Sequence, residues 1–296
     1  MLPLNLAKML KEISRNSHIF EKKCSSAYNT QKVMLLSDLH WDNPKCDREL
    51  LRTHLELAKA EGARIHLNGD TFCLMQGKYD PRKSKESIRP EHNVNNYLDA
   101  IIEDAANWFS PYAEYIDVVG YGNHETNIIK RQETDPLQRF VDRLNLVAKP
   151  ESPVMTGGYG GWYCIRFCWG EKTTAIYKLK YFHGSGGGGI VTRGEINLTR
   201  ALQMFGGFDC FTMGHIHENK ETVFTREAFD AKKCRSTYKD ILLLVTGTYK
   251  EEYDEGYMGW HVERGAPAKP LGGRMLEINA HRTRVAINVT AKSYRL

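Results

Sequence analysis

Short apolar runs and helical patterns alternate along the first half of the chain. The apolar runs at 32–38, 63–70 and 114–123 are typical of buried strands. Between them, apolar residues recur at helical spacing, at 46–62 and 94–109. Strands separated by helices of this length predict βαβ units and a largely parallel sheet.

The pattern changes near residue 154. Before it, 134–146 predicts a helix with Thr134 or Asp135 as its cap and Pro136 in its first turn. After it, apolar and polar residues alternate, as they do in half-exposed antiparallel strands. These strands, with a helix near 194–205 among them, are predicted at 162–169, 174–184, 208–215, 240–248 and 274–289. The expected fold is α/β, with two sheets packed together and helices outside.

Residues 1–30 are expected to form a helical extension that precedes one large domain, 31–296. The extension lacks the unbroken apolar core and small-residue cleavage site of a signal peptide. No apolar run in the chain is long enough to span a bilayer, so no membrane partner is expected. The apolar residues of the extension have helical spacing: Leu6, Met9, Leu10 and Ile13.

Composition narrows the class of protein only slightly. The seven cysteines are scattered, without a C-x-x-C pair, and indicate reduced thiols in a cytoplasmic protein. Lys and Arg number 41 against 36 Asp and Glu, which gives a formal net charge of +5. This mild excess is compatible with a phosphate-bearing substrate and is too small for a dedicated nucleic-acid coat.

Side chains suited to metal binding follow five of the predicted strands. Asp38 and His40 come first, and residues two positions apart on a strand point the same way. In α/β sheets, ligands gather at the carboxyl ends of the strands. The sequence therefore predicts seven metal ligands at one edge of the sheets: Asp38, His40, Asp70, Asn123, His183, His215 and His217.

The chemistry of this set suits a pair of metal ions. Imidazole favours metals such as Zn, Fe and Ni, whereas carboxylate and amide oxygens favour harder ions such as Mn. A carboxylate can bridge two cations, which together lower the pKa of a shared water and produce hydroxide near neutral pH. Phosphoryl transfer needs this arrangement, because its transition state requires mainly positioning and charge neutralisation.

Two polar segments, 75–93 and 183–194, are longer than ordinary loops. The second has four consecutive glycines shortly after His183, so its backbone N–H groups could cradle a phosphate while Arg193 contacts a non-bridging oxygen. The alternative is a lid that makes no direct contact. The first segment is basic in its middle, and is either a nucleic-acid contact or a solvated surface loop.

The motifs D-x-H, GD, GNHE, a lone His and GH-x-H occur in this order over 33–217, and there the chain resembles the calcineurin-like metallophosphoesterases. The resemblance implies a four-layer α/β/β/α sandwich of two mixed β-sheets flanked by helices. It also implies two divalent or trivalent metal ions, chosen from Mn, Fe, Zn and Ni, with Mn favoured for activity. Its ligand assignment is Asp38, His40 and His217 to one ion, Asn123, His183 and His215 to the other, and Asp70 to both.

The resemblance further implies a hydrolase that acts as a phosphatase or phosphodiesterase. Hydroxide held between the metals would attack phosphorus in line and hydrolyse a phosphate mono- or diester. His124, the histidine of GNHE, would protonate the leaving oxygen or stabilise charge on the phosphoryl group. The sequence departs from the family in GDTFC, where Cys73 stands at the position of a second Asp in many members, so the hydrogen bonds around Asp70 must differ.

Two other functions remain open. A DNA-processing nuclease similar to the SbcD-type exonucleases would carry the same five motifs and would take nucleic acid as its substrate. A non-catalytic scaffold similar to the retromer scaffolding subunit would have the same fold without needing the ligand set. A looser similarity to phosphoesterases of phages and bacteria implies the cytoplasm of a bacterium or of a phage-infected host cell.

Overall fold

The structure is a computed structural model that describes residues 10–76, 80, 83, 87–171, 173–253, 260–263, 265–284 and 286–296. Within these residues the helices are α1 (Arg48–Glu61), α2 (Tyr97–Phe109), α3 (Asn123–Gln132), α4 (Pro136–Ala148), α5 (Glu195–Met204) and α6 (Trp260–Glu263). The strands are β1 (Leu10–Ser14), β2 (Ser17–Lys23), β3 (Tyr28–Leu36), β4 (Arg64–Asn68), β5 (Ile116–Gly120), β6 (Met155–Thr156), β7 (Gly160–Trp169), β8 (Thr173–Phe182), β9 (Cys210–Met213), β10 (Lys220–Asp230), β11 (Arg235–Val245), β12 (Arg274–Arg282) and β13 (Ile287–Arg295).

The strands form two mixed sheets. The seven-stranded sheet has the order β1-β2-β7-β8-β9-β11-β10, and the six-stranded sheet has the order β13-β12-β3-β4-β5-β6. Strands β3 to β6 pair in parallel, whereas β12 runs antiparallel to β3. The parallel βαβ arrangement predicted for the first half of the chain is therefore confirmed.

Three groups of buried side chains separate four layers. Leu51, Ile101 and Phe140 of the helices pack on Met34 and other residues on the outer face of the six-stranded sheet. A second group fills the space between the sheets and includes Val33, Leu35, Tyr163 and Leu179. A third joins α5 to the seven-stranded sheet, through Leu198, Ala201, Phe211 and Leu243. The expected α/β sandwich is confirmed.

The predicted helices α1 and α4 begin where their local chemistry indicates. Asp47 caps α1 by accepting a hydrogen bond from the backbone N–H of Leu50, and Gly62 ends it in the left-handed conformation. Asp135 caps α4 through Gln138 N–H, and Pro136 occupies the first turn. In contrast, α3 was not predicted as a helix, because GNHE was interpreted as a strand end alone.

The helical prediction for the N-terminal segment is wrong over 10–23. These residues form the hairpin β1–β2, and β2 pairs in parallel with β7 over seven residues. Phe20 and Leu10 are buried in the core between the sheets. Pairing with β7 buries alternate residues and so overrides the weak helical spacing. The predicted positions Leu6 and Met9 lie outside the described residues.

Candidate metal centre

The side chains predicted to bind metal meet where the strands end. Asp38 and His40 follow β3, Asp70 follows β4, Asn123 opens α3 just after β5, and His183 follows β8. The last two, His215 and His217, follow β9. The carboxyl ends of these strands lie at the same edge of the sandwich, because strands paired in parallel run in one direction.

The backbone at this edge is strained. Left-handed φ angles occur at Asp38 (52°), His40 (47°), Asp70 (48°), His215 (69°) and His217 (53°). Non-glycine residues seldom adopt this conformation, and each instance costs of the order of 1 kcal/mol or more. Five such residues in one cluster indicate that the fold aims these side chains inward at the expense of local stability.

The first group of ligand atoms belongs to Asp38, His40 and His217. The Nε2 atoms of the two imidazoles are 3.3 Å apart, and His217 Nε2 lies 3.3 Å from Asp38 Oδ1. Asp38 Oδ1 is buried and makes no hydrogen bond of good geometry with the described residues, and His217 lies only at ion-pair distance from it. A buried carboxylate oxygen that is incompletely satisfied is costly, so the donor set fits a cation at this point.

The second group belongs to Asn123, His183 and His215, with Asp70 beside it. Asn123 Oδ1 lies 2.8 Å from His215 Nδ1 and 3.3 Å from His183 Nε2, and Asp70 Oδ2 is 3.2 Å from His183 Nε2. His183 Nδ1 is 2.8 Å from the backbone carbonyl of Asn68. Because a carbonyl only accepts, Nδ1 carries a hydrogen and Nε2 faces the other ligand atoms.

The electrostatics of Asp70 and its neighbours suit a cation between them. Burial alone would raise the pKa of Asp70, but the imidazoles of His183 and His124 hold it well below its usual value. Burial, helped by His124, lowers the pKa of His40, so this imidazole stays neutral. Burial lowers the pKa of His183, but Asp70 opposes it and raises that pKa to about 10. A cation bound there would displace a proton from His183.

His124 lies at the rim of the two groups. Its backbone N–H donates to Asp70 Oδ1 at 3.0 Å, and its Nε2 is 3.8 Å from Asp70 Oδ2. Its Nδ1 is hydrogen-bonded to the backbone carbonyl of Cys73. Only a protonated Nδ1 can make that bond, which leaves Nε2 directed toward the centre.

Cys73 is held by hydrogen bonds to Asn43 and Asp42. Its thiol is buried, with a pKa raised to about 12 by burial, and Sγ accepts from Asn43 Nδ2 at 3.4 Å. Its backbone is held by Asp42, whose carboxylate accepts from the N–H groups of Cys73 and Leu74. Tyr97 O–H also donates to Asp42, at 3.2 Å. The backbone of Cys73, not its side chain, therefore fixes the His124 ring.

Glu125 supports the loops that carry the candidate metal ligands, a role that the sequence pattern does not predict. Its buried carboxylate accepts hydrogen bonds from the N–H groups of Gly122, Asp70 and Phe72, at 2.9, 3.2 and 3.0 Å. Burial, with the nearby Asp70 charge, raises the pKa of Glu125 to about 8. Glu125 thereby ties the loop after β4 to the start of α3. The only signal was its place in GNHE.

Arg193 does not belong to either group of ligand atoms. Its guanidinium Nε and Nη2 donate to Glu218 Oε2, at 3.0 and 2.9 Å, and Lys269 Nζ lies 2.9 Å from Glu218 Oε1. Glu218 follows the ligand candidate His217 directly in the chain. The phosphate contact of Arg193 stays a prediction. The basic middle of 75–93 lies largely outside the described residues.

Comparisons with known proteins were made for the whole chain. No family model matches the sequence, and no curated protein matches it. Vacuolar protein sorting 29 from Cryptosporidium parvum is 12% identical, with a TM-score of 0.32, over 90% of this chain and 99% of that one. GAP50 of Plasmodium, described as the anchor in the inner membrane complex, is 9% identical, with a TM-score of 0.40, over 90% and 88%. A Thermotoga maritima protein is 10% identical, with a TM-score of 0.30, over 89% and 99%.

The described helices were also searched for candidate membrane spans. None of them combines the length and the apolar character that crossing a bilayer by a helix requires.

Proposed function

We propose that this protein is a dinuclear metal-dependent phosphoesterase, which hydrolyses phosphate mono- or diesters. The observation that carries the proposal is the convergence of seven ligand side chains into two facing groups. In the first group, the ligand atoms of Asp38, His40 and His217 lie within 4.8 Å of one another. In the second group, the same distance holds for the ligand atoms of Asp70, His183 and His215. Asn123 completes the second group.

The residues of the site fit two metal ions of the Mn, Fe, Zn or Ni type. Asp38, His40 and His217 would hold one, Asn123, His183 and His215 the other, and Asp70 has carboxylate oxygens for both. When bound, such a pair lowers the pKa of water and neutralises charge on a phosphoryl group.

The protein supplies an acid beside this centre. His124 Nδ1 carries a hydrogen that it donates to the Cys73 carbonyl, whether the imidazole is neutral or positively charged. Protonation of Nε2 then gives a donor directed toward the centre, which can protonate the leaving oxygen of the ester. The Asp42 carboxylate keeps the Cys73 backbone in place, so it positions His124 through that backbone.

The first test is hydrolysis of bis-p-nitrophenyl phosphate and p-nitrophenyl phosphate with Mn²⁺ and in a chelated control. We expect hydrolysis only with metal. Preference for the diester would direct the next assays to nucleic acids, including labelled single- and double-stranded DNA. Preference for the monoester would exclude the nuclease alternative.

The Asp70→Asn variant tests the site itself. Removing a charge from the residue shared by both groups should lower the bound metal to less than half of the wild-type content, measured by atomic emission after gel filtration. Unchanged metal content would contradict the bridging role. A wild-type protein that binds no metal stoichiometrically and hydrolyses neither ester would instead be a scaffold.

A further inference from the structure

Strand β10 forms one end of the seven-stranded sheet, and its outer edge pairs with no strand in the described part of the chain. It is eleven residues long and pairs with β11 without a break in register. An edge of this length presents unpaired N–H and C=O groups. Natural sheets usually protect such edges with proline, a bulge or a short strand. β10 has none of these, and charged side chains such as Lys220 and Glu227 are its protection.

Apolar side chains on this hairpin are exposed to solvent. Val223, Phe224 and Phe229 of β10 are 56%, 42% and 70% exposed, and Tyr238 of β11 is 70% exposed. A groove of about 380 Å³ runs between α5 and β10. An edge strand with large exposed apolar residues beside a groove has the properties of a site for strand addition.

We propose that β10 pairs in antiparallel fashion with β10 of a second copy of this chain, around a twofold axis at Thr225. In this register the ends and the centre of the strand are complementary, whereas Glu221 lies opposite Phe229 and Val223 opposite Glu227. Lys220 then lies opposite Asp230 of the other copy, Phe224 lies opposite Arg226, and Thr225 lies opposite Thr225. Opposite charges, a cation above an aromatic ring and a Thr–Thr pair are all favourable cross-strand neighbours.

The adjacent twofold registers are less favourable. An axis at Phe224 would place Glu221 opposite Glu227 twice. An axis at Arg226 would bring Val223 opposite Phe229, but it would place two guanidinium groups opposite each other. Like charges directly opposite on neighbouring strands are destabilising. Charge complementarity therefore selects the register centred on Thr225.

A second copy suits this edge better than a peptide from another protein. In a twofold dimer the same surface of both chains is used, so the two exposed edges are removed together and the assembly closes. The interface contains none of the proposed metal ligands, and it is independent of the proposed function.

The oligomeric state of the full chain tests the proposal. By sedimentation velocity at micromolar concentrations, we expect a mass twice the 33.9 kDa of the chain. Thr225→Lys should raise the dissociation constant roughly tenfold or more, because it places like charges on the axis. Thr290→Lys is the matched control on β13, an edge of the other sheet, and should leave the dimer unchanged. A monomeric wild type, or a dimer sensitive to Thr290→Lys and not to Thr225→Lys, would overturn the proposal.

Cross-linking tests the register independently. In a Cys234→Ser background, which removes the exposed native thiol of the hairpin, Thr225→Cys should be joined by a short bismaleimide. Val223→Cys alone should not react across the interface. A cysteine at 223 would lie opposite Glu227 of the other copy. Along the strands, it would be about 13 Å from residue 223 of that copy. The pair Val223→Cys with Glu227→Cys should cross-link. Cross-linking of Val223→Cys in preference to Thr225→Cys would refute this register.

Discussion

His124 is oriented by the backbone carbonyl of Cys73, which is hydrogen-bonded to its Nδ1. We expect His124→Ala to lower turnover at least about a hundredfold while the metal content stays unchanged, as is usual for loss of an acid–base group. The measurement is hydrolysis of the better nitrophenyl ester, with metal content determined on the same sample. His281→Ala is the control, because that ring stacks on Tyr28 away from the centre. Undiminished turnover in a metal-replete His124→Ala protein would exclude the catalytic role.

Gly122 makes possible the close approach of α3 to the loop after β4. A Cβ at this position would overlap the carboxylate and the backbone nitrogen of Asp70. Gly122→Ala should therefore displace Asp70 and reduce both metal content and turnover at least tenfold. Gly206→Ala is the matched control, since a Cβ there meets no atom within 4 Å. Normal metal binding by Gly122→Ala would mean that Asp70 can move without loss of the site.

The N-terminal hairpin is a structural part of the seven-stranded sheet. Phe20 of β2 is 2% exposed, and the Arg64 guanidinium lies 5.0 Å from its ring centroid. We expect Phe20→Ala to lower the free energy of unfolding by about 3–5 kcal/mol, as buried aromatic truncations do. Ile13→Ala, on the exposed face of β1, should change it by less than about 0.5 kcal/mol. Urea unfolding measures both. Equal and small effects would mean that the segment contributes little to the core.

At the scale of the whole molecule, the interface between the sheets contains two buried histidines, His18 and His66. Neither ring has a hydrogen-bond partner among the described residues. His66 packs against Tyr163 and Tyr181, with ring centroids 5.4 and 4.5 Å away. Burial, and to a lesser degree His18, lowers the pKa of His66 to about 3. Burial also lowers the pKa of His18, against the opposing effects of Glu12 and Asp117.

These pKa shifts make stability depend on pH. The unfolded chain takes up protons on both imidazoles as pH falls below their ordinary value of 6.5, whereas folded His66 stays neutral until about pH 3. The contribution of these two histidines to the free energy of unfolding is therefore fully present above pH 6.5 and is lost on acidification. Each histidine can account for a loss of up to about 1.4 kcal/mol per pH unit. His66→Leu should lose less stability than wild type between about pH 6.5 and 5, measured by urea unfolding at each pH. Parallel losses in the two proteins would contradict this account.

Local patterns identified much of the fold and of the candidate site. The elements β3, α1, β4, α2 and β5 follow from apolar spacing and capping residues, which act over a few positions. The positions of the seven candidate ligand side chains follow from the same patterns, since each of them comes shortly after an apolar run that predicts a strand. Glu125, Asp42 and the Cys73 carbonyl could not be assigned in this way. Cys73 is 31 residues from its partner Asp42, and Glu125 is 55 residues from its partner Asp70.

The sequence by itself determined which side chains are candidate metal ligands and roughly where the strands and helices lie, because both depend on residue chemistry and short-range periodicity. The tertiary structure decided what the N-terminal segment becomes, because β2 joins the sheet by pairing with β7, which lies far along the chain. It also decided which imidazoles face each other, how His124 is held, and that β10 ends a sheet with its edge exposed. Strand pairing and buried hydrogen bonds join residues distant in sequence, so no local pattern specifies them.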